Sequence, residues 1–161
     1  MVVKVNLSDN SLQAFGKIYT ISCNVRTLRN GLRFSNQVVT SLYSNKPYMP
    51  CMFPVGDWNI TGVVWQKDVN GKDLFDFNTY GPCKILTDAW QWVHVWKLDR
   101  YGDYEYQTDE VVKDYCYWFH YGFSPTTLGC IRMWSPQDAI EFGRFAEDVL
   151  VSEKVISLKV S

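Results

Sequence analysis

The chain has 161 residues, 47% of them hydrophobic and 20% charged, with a net charge of −1. That length suits a single domain, residues 1–161, and the composition excludes a chain too polar to bury a core. The near-neutral balance gives no cationic excess for gripping nucleic acid, and no apolar run reaches the length of a membrane span.

In chain order, Met1–Ser11 lacks the long apolar stretch and small-residue cleavage site of a secretory leader. Lys17–Val25 is rich in β-formers, and Asn30-Gly31 after it is a hairpin-type turn signal. Leu32–Leu42 predicts another strand region, after which Pro47, Pro50 and Pro54 break regular structure. Trp58–Gln66 predicts a strand, followed by a tight turn at Asn70-Gly71. Ala89–Leu98 alternates as a strand does, placing Trp90, Trp92 and His94 on one face. His94 there belongs to an aromatic ladder or to a groove wall. Tyr101–Asp109, acidic and aromatic, is expected at a solvated hairpin tip or lid edge. Near the end, Ser135-Pro136 is a helix start, with Ser as cap and Pro at the first helical position. Ala139, Phe142, Ala146, Val149 and Leu150 then recur on one helical face, weakened at Gly143. Val155–Val160 alternates again and predicts a last strand. The fold class expected is mainly β, a sandwich or barrel with one substantial helix.

The five cysteines stand at 23, 51, 83, 116 and 130, none spaced C-x-x-C, and the two histidines do not form H-E-x-x-H. No metal site is expected. Cys23, Cys51, Cys83 and Cys116 are read as core or half-buried thiols, with a disulfide among them left open.

The stretch with the most chemistry is Trp118–Met133, WFHYGFSPTTLGCIRM. Cys130 follows Gly129, and His120 lies ten residues earlier. A free thiol supplies little thiolate at neutral pH, and a neighbouring imidazole remedies this by taking the proton and holding an ion pair. Gly122, Ser124, Pro125 and Gly129 supply the turn chemistry to bring the two together. Gly129 would also let a substrate carbonyl approach the backbone, with loop N–H groups as an oxyanion site. Against this stands the ordinary reading of a cysteine in a β protein, a small buried hydrophobe.

His120, Gly122, Thr127, Gly129, Cys130, Arg132 and Met133 resemble, in order, the signature of the L,D-transpeptidase (YkuD-type) catalytic domain. In that family a His-Gly element precedes a Ser/Thr-His-Gly-Cys-x-Arg/Asn block. Upstream, Pro54-Val55-Gly56-Asp57-Trp58-Asn59-Ile60 resembles the family's Thr-Pro-x-Gly-x-Phe/Tyr-x-Ile motif. The helix after Cys130, with Asp138 in its first turn, also sits where the family places one. The likeness spans roughly residues 15–151. Three departures accompany it. Leu128 replaces the usual His before Gly-Cys, the His-to-Cys spacing is shorter, and Tyr121 separates His120 from its glycine.

The resemblance implies an enzyme acting on peptidoglycan stem peptides through a Cys130 thioester acyl-enzyme, with His120 as base and no cofactor. Tyr121 is expected to orient the imidazole through its backbone carbonyl, or else to be a packed aromatic. Arg132 is assigned to a substrate carboxylate, with an ion pair to Asp138 or Glu141 as the alternative. Thr127 is expected to bond within the cysteine loop or to touch substrate, and Leu128 and Trp118 border the substrate side. A monomer is expected, without a membrane span. Action at the cell wall would require another export route, a lysis event or a removed leader. Transfer to an amine and transfer to water both stay open. Two other functions remain beside the transferase: a hydrolytic relative (L,D-carboxypeptidase or endopeptidase) used as a phage lysin or secreted effector, and a non-catalytic β domain binding glycan or protein through its aromatics.

Overall fold

The computed structural model describes residues 1–23, 40–41, 44–66, 70, 80–122, 127 and 129–161. Strands dominate from the start. β1 (Val2–Asn6) turns Val3 and Val5 inward, β2 (Ser11–Ala14) turns Leu12 and Ala14 inward, and β3 (Lys17–Ser22) does the same with Tyr19 and Ile21. The sequence reading found no strand before Lys17. What it missed is the period-two alternation of Val3 and Val5, in a segment read only for a leader. The β1–β2 turn is closed by Asn6, whose side-chain oxygen accepts from the N–H groups of Ser8 and Asp9 at 3.0 and 3.1 Å. The β2–β3 hairpin turns on Phe15 and Gly16, both at positive φ (53° and 76°).

β4 (Gly56–Trp65) follows, then β5 (Cys83–Thr87). β6 (Gln91–Leu98) and β7 (Tyr104–Asp114) form a separate two-stranded ribbon. Two short strands, β8 (Phe119–His120) and β9 (Ile131–Met133), lead into helix α1 (Pro136–Ser152), and β10 (Ile156–Val160) ends the series. Eight of these strands close a barrel in the order β1, β10, β4, β5, β8, β9, β3, β2. β10 lies parallel to β1 and antiparallel to β4.

Inside the barrel wall, Ile60, Ile85, Phe119, Ile131, Met133, Ile156 and Leu158 are fully buried. Helix α1 adds Ala139, Phe142 and Ala146 to the same cluster. Phe142 meets Phe119 edge-on at 5.5 Å between ring centroids and Phe15 at 5.6 Å. Ser135 caps the helix as its sequence predicts, its hydroxyl accepting from Asp138 N–H at 3.1 Å. Gly143 has a packing reason: a Cβ there would meet Cys83 Sγ at 3.0 Å and the Trp65 ring at 3.3 Å. The ribbon has its own small core of Tyr48, Val93, Val95 and Val112.

Several expectations shift in detail. The strand predicted from Ala89 begins at Gln91, although Trp90 still meets Trp92 at 5.7 Å in a T-shape. Trp92 and His94 are exposed on the ribbon, a surface ladder rather than a core one. Of the stretch expected at a hairpin tip, only Tyr101–Asp103 lies beyond the strand. Tyr104–Asp109 is β7, because its backbone pairs with β6 at Trp96↔Gln107 and Lys97↔Tyr106. The tip itself is tied by Asp99, whose carboxylate accepts from the N–H groups of Tyr101 and Asp103. The turn at Asn30-Gly31, Gly71 and most of Leu32–Leu42 lie outside the described residues. All five cysteines are free, so no disulfide contributes. No helix among the described residues is long and apolar enough to cross a membrane.

Candidate active site

β8 and β9 run parallel, with Phe119 opposite Ile131 and His120 opposite Arg132. Ile131 N–H donates to Trp118 O at 2.9 Å, which sets Cys130 beside Trp118 where the two strands open. Phe119 and Ile131 are fully buried in the barrel core. By the period of two, Trp118, His120, Cys130 and Arg132 therefore belong to the opposite face. On the other side of β8, Lys84 of β5 is the cross-strand partner of His120. A row Lys84–His120–Arg132 thus crosses three neighbouring strands, with Cys130 diagonal to His120.

His120 is buried, and its Nδ1 lies 3.3 Å from the Tyr121 carbonyl. A carbonyl only accepts, so this bond puts the proton on Nδ1 and leaves Nε2 as the basic nitrogen. The Tyr80 ring stands edge-on to the imidazole at 5.4 Å. Burial holds the imidazole below its usual pKa; the Tyr121 bond opposes this, and the charges of Arg132 and Lys84 add to it.

Cys130 is 8% exposed and its thiol donates to the Cys116 carbonyl at 3.3 Å. Burial pushes this thiol up to about 12; the Trp118 backbone opposes the shift, and the neighbouring Cys23, Cys116 and Asp114 add to it. The expected thiolate–imidazolium ion pair is therefore corrected. Burial disfavours charge on both partners, so the resting pair is neutral, and the thiol's hydrogen bond runs to a carbonyl rather than to the imidazole.

Gly129 sits at φ 115°, and a Cβ there would lie 2.5 Å from Cys51 O and 2.8 Å from the Tyr117 ring. The close approach this glycine permits is thus to the chain's own backbone. Its N–H donates to Thr127 Oγ1 at 3.3 Å, and its carbonyl accepts from the Cys23 thiol at 3.5 Å. An oxyanion site at Gly129 N–H is therefore already occupied by Thr127. Thr127 also donates to Cys130 O at 2.7 Å, so it bonds within the cysteine loop.

Arg132 does not pair with Asp138 or Glu141. Both of those carboxylates take Lys17, at 3.9 and 2.7 Å. Arg132 Nε instead donates to Gly122 O at 2.6 Å, and its guanidinium lies 5.1 Å from the Tyr121 ring centroid. Tyr121 so serves both as backbone acceptor and as packed ring. Leu128 lies outside the described residues. The upstream motif closes on itself: Gly56 opens β4, and Trp58 Nε1 donates back to Pro54 O at 2.9 Å.

Other residues around the site were not singled out in the sequence. Cys116, whose carbonyl holds the Cys130 thiol, has φ 69°, a left-handed conformation that costs a non-glycine residue about 1 kcal/mol or more. Asp114, at the end of β7, is buried and accepts from Tyr117 OH. Gln91 Nε2 donates to Tyr117 OH and to Met52 O, both at 2.8 Å. Burial raises the Asp114 carboxyl, opposed by hydrogen bonds from Tyr117 and Tyr48. An acid inside the aromatic run DYCYWF was the available sign. Among the described residues, no group of three or more His, Cys, Asp or Glu is placed to hold a metal ion.

No family model, no curated protein and no solved structure matches this chain. The likeness to L,D-transpeptidases therefore rests on the motif residues themselves.

Proposed function

We propose that this chain is a peptidoglycan-active cysteine acyltransferase of the L,D-transpeptidase type, with Cys130 as nucleophile and His120 as base. The observation that carries the reading is the orientation of His120: its Nδ1 is bound to the Tyr121 carbonyl, on a strand paired in parallel with the one that Cys130 opens. In this reading Nε2 accepts the thiol proton as sulfur attacks the carbonyl of a peptide bond after a D-configured or meso centre. Because thiol and imidazole are both neutral at rest, proton transfer accompanies the attack instead of preceding it. The Cys130 N–H serves the tetrahedral oxyanion, since Gly129 N–H is taken by Thr127. The imidazolium then protonates the leaving amine, and the thioester passes to an amine or to water. Transfer to water would make the chain a carboxypeptidase or endopeptidase, suited to a lysin or effector; toxicity on expression confined to the periplasm distinguishes that use.

Intact-protein mass spectrometry after exposure to a carbapenem or a stem tetrapeptide tests the mechanism. The expected result is one covalent adduct, lost in Cys130→Ala with the fold retained. Turnover of muropeptides by Cys130→Ala at the wild-type rate overturns it.

A second reading, a binding domain without catalysis, is favoured by the ribbon. Trp92 and Tyr106 are 58% and 54% exposed there, planar surfaces fit for stacking on sugars. Retention on glycan strands with no adduct under any condition favours this reading over the first.

A further inference from the structure

The row across β5, β8 and β9 carries two cations and no anion. Lys84 and Arg132 are the cross-strand partners of His120 on either side. The ion pairs among the described residues lie elsewhere: the Met1 amino group meets Glu153, Lys17 meets Glu141 and Asp138, and Lys46 meets Glu110. Among the described residues, neither Lys84 nor Arg132 forms an ion pair. Lys84 is held by rings instead, its Nζ 4.7 Å from the Tyr80 centroid and 4.8 Å from the Trp118 centroid. Those two rings are themselves in contact at 6.1 Å. This arrangement fixes an ammonium over the site without neutralising it. Arg132 spends Nε on Gly122 O, which aims the guanidinium and leaves its terminal amino groups for a bidentate partner.

We propose that Lys84 and Arg132 form a carboxylate subsite bracketing His120, so that the acyl donor carries a free carboxylate close to the scissile carbonyl. The assignment of an acyl donor rests on the function proposed above; the anion subsite itself does not. Two half-buried like charges with no counter-ion among the described residues leave a positive potential that a bound carboxylate relieves. Binding would also act on the base. Among the described residues, the groups facing His120 are Lys84 from β5, Arg132 from β9, Tyr80 from the turn before β5 and the Tyr121 carbonyl after β8. The two cations are the only charges among them, and both disfavour the imidazolium. A carboxylate placed between them offsets that field, making His120 a stronger base only when the donor is seated. Lys84 is then a specificity residue outside the cysteine motif.

The test uses His120 as its own reporter, since the chain has only two histidines and His94→Gln assigns the other. A stem tetrapeptide ending in a free carboxylate, and the same peptide amidated, are titrated into the Cys130→Ala protein while imidazole proton resonances are followed by NMR. Neither probe can be acylated there, so the result is independent of turnover. The expected outcome is tighter binding of the carboxylate form by at least about fivefold, the scale of a single half-exposed charge pair. Lys84→Met, which keeps the aliphatic stem, should erase that preference, and Lys84→Arg should restore it. Equal affinity for acid and amide in the parent protein overturns the proposal. So does an unchanged preference in Lys84→Met whose far-UV spectrum matches the parent. Peptides acidic only at the side chain, compared with those acidic only at the terminus, identify which carboxylate is read. If selectivity holds but wild-type Cys130 never acylates, the acyl-transfer reading falls while the subsite stands.

Discussion

The Cys130 thiol points its hydrogen bond at the carbonyl of Cys116, 3.3 Å away, and Cys116 holds that carbonyl in place from a left-handed backbone conformation. A thiol bonded to a carbonyl is favoured as the thiol, because ionisation would set a negative sulfur against an oxygen lone pair. Burial acts in the same direction.

Alkylation of Cys130 should therefore be slow at neutral pH. Its rate is expected to rise steadily from about pH 7 to pH 10 without a plateau, since a thiol displaced to about 12 is still mostly protonated there. Iodoacetamide labelling followed by peptide mass spectrometry reads this. A rate constant that is flat from about pH 6 upward would mean a preformed ion pair.

Acid should weaken the fold through His120. Its folded pKa lies below the ordinary 6.5, so the unfolded chain takes up the proton first. The stabilisation is complete above 6.5 and is lost as pH falls through the folded value. Melting temperatures of the parent protein should decline on going below 6.5, whereas His120→Gln should be flatter over the same interval. The Glu141 carboxyl, held below 4.5 by Lys17, is common to both proteins and cancels from their difference. Parallel thermal melts of the two proteins check the difference.

Gly129→Ala should destabilise by about 2–4 kcal/mol, the range for a backbone clash combined with a forbidden φ. The new methyl would collide with Cys51 O and the Tyr117 ring. Gly102→Ala is the control: it has positive φ but open space, and about 1 kcal/mol is expected. Urea unfolding monitored by tryptophan fluorescence measures both.

Tyr117→Phe should cost about 1–3 kcal/mol, because it deprives the buried Asp114 of a donor and Gln91 of an acceptor. The additional substitution Asp114→Asn should recover part of that loss at neutral pH by removing the buried charge. A double-mutant cycle from urea midpoints provides the coupling.

How much of this was legible depended on whether the cause was local. The helix was readable because Ser135, Pro136 and the Ala139–Phe142–Ala146 stripe carry their own geometry. β4 was readable from its run of β-formers, and β10 from its alternation. β8 and β9 were not, since two or three residues cannot display a period, and their parallel pairing joins segments eleven residues apart or more. For the site, His120, Tyr121 and Thr127 were legible through neighbours in sequence. Lys84, Cys116 and Tyr80 were not. Lys84 and Tyr80 are brought in by β5 pairing with β8, and the Cys116 carbonyl by the turn from β7 into β8, neither of which leaves a sequence pattern. Gly129 was noticed for the wrong reason, because the atoms it makes room for belong to Cys51 and Tyr117.

β10 fills the gap between β1 and β4, pairing Val2 with Ser157 and Ile60 with Ile156. During synthesis both neighbouring strands must therefore wait with open edges until Ile156–Val160 has left the ribosome. Contacts of such wide sequence separation make folding slow, and loss of this one short strand would leave two sticky edges ready to pair between molecules.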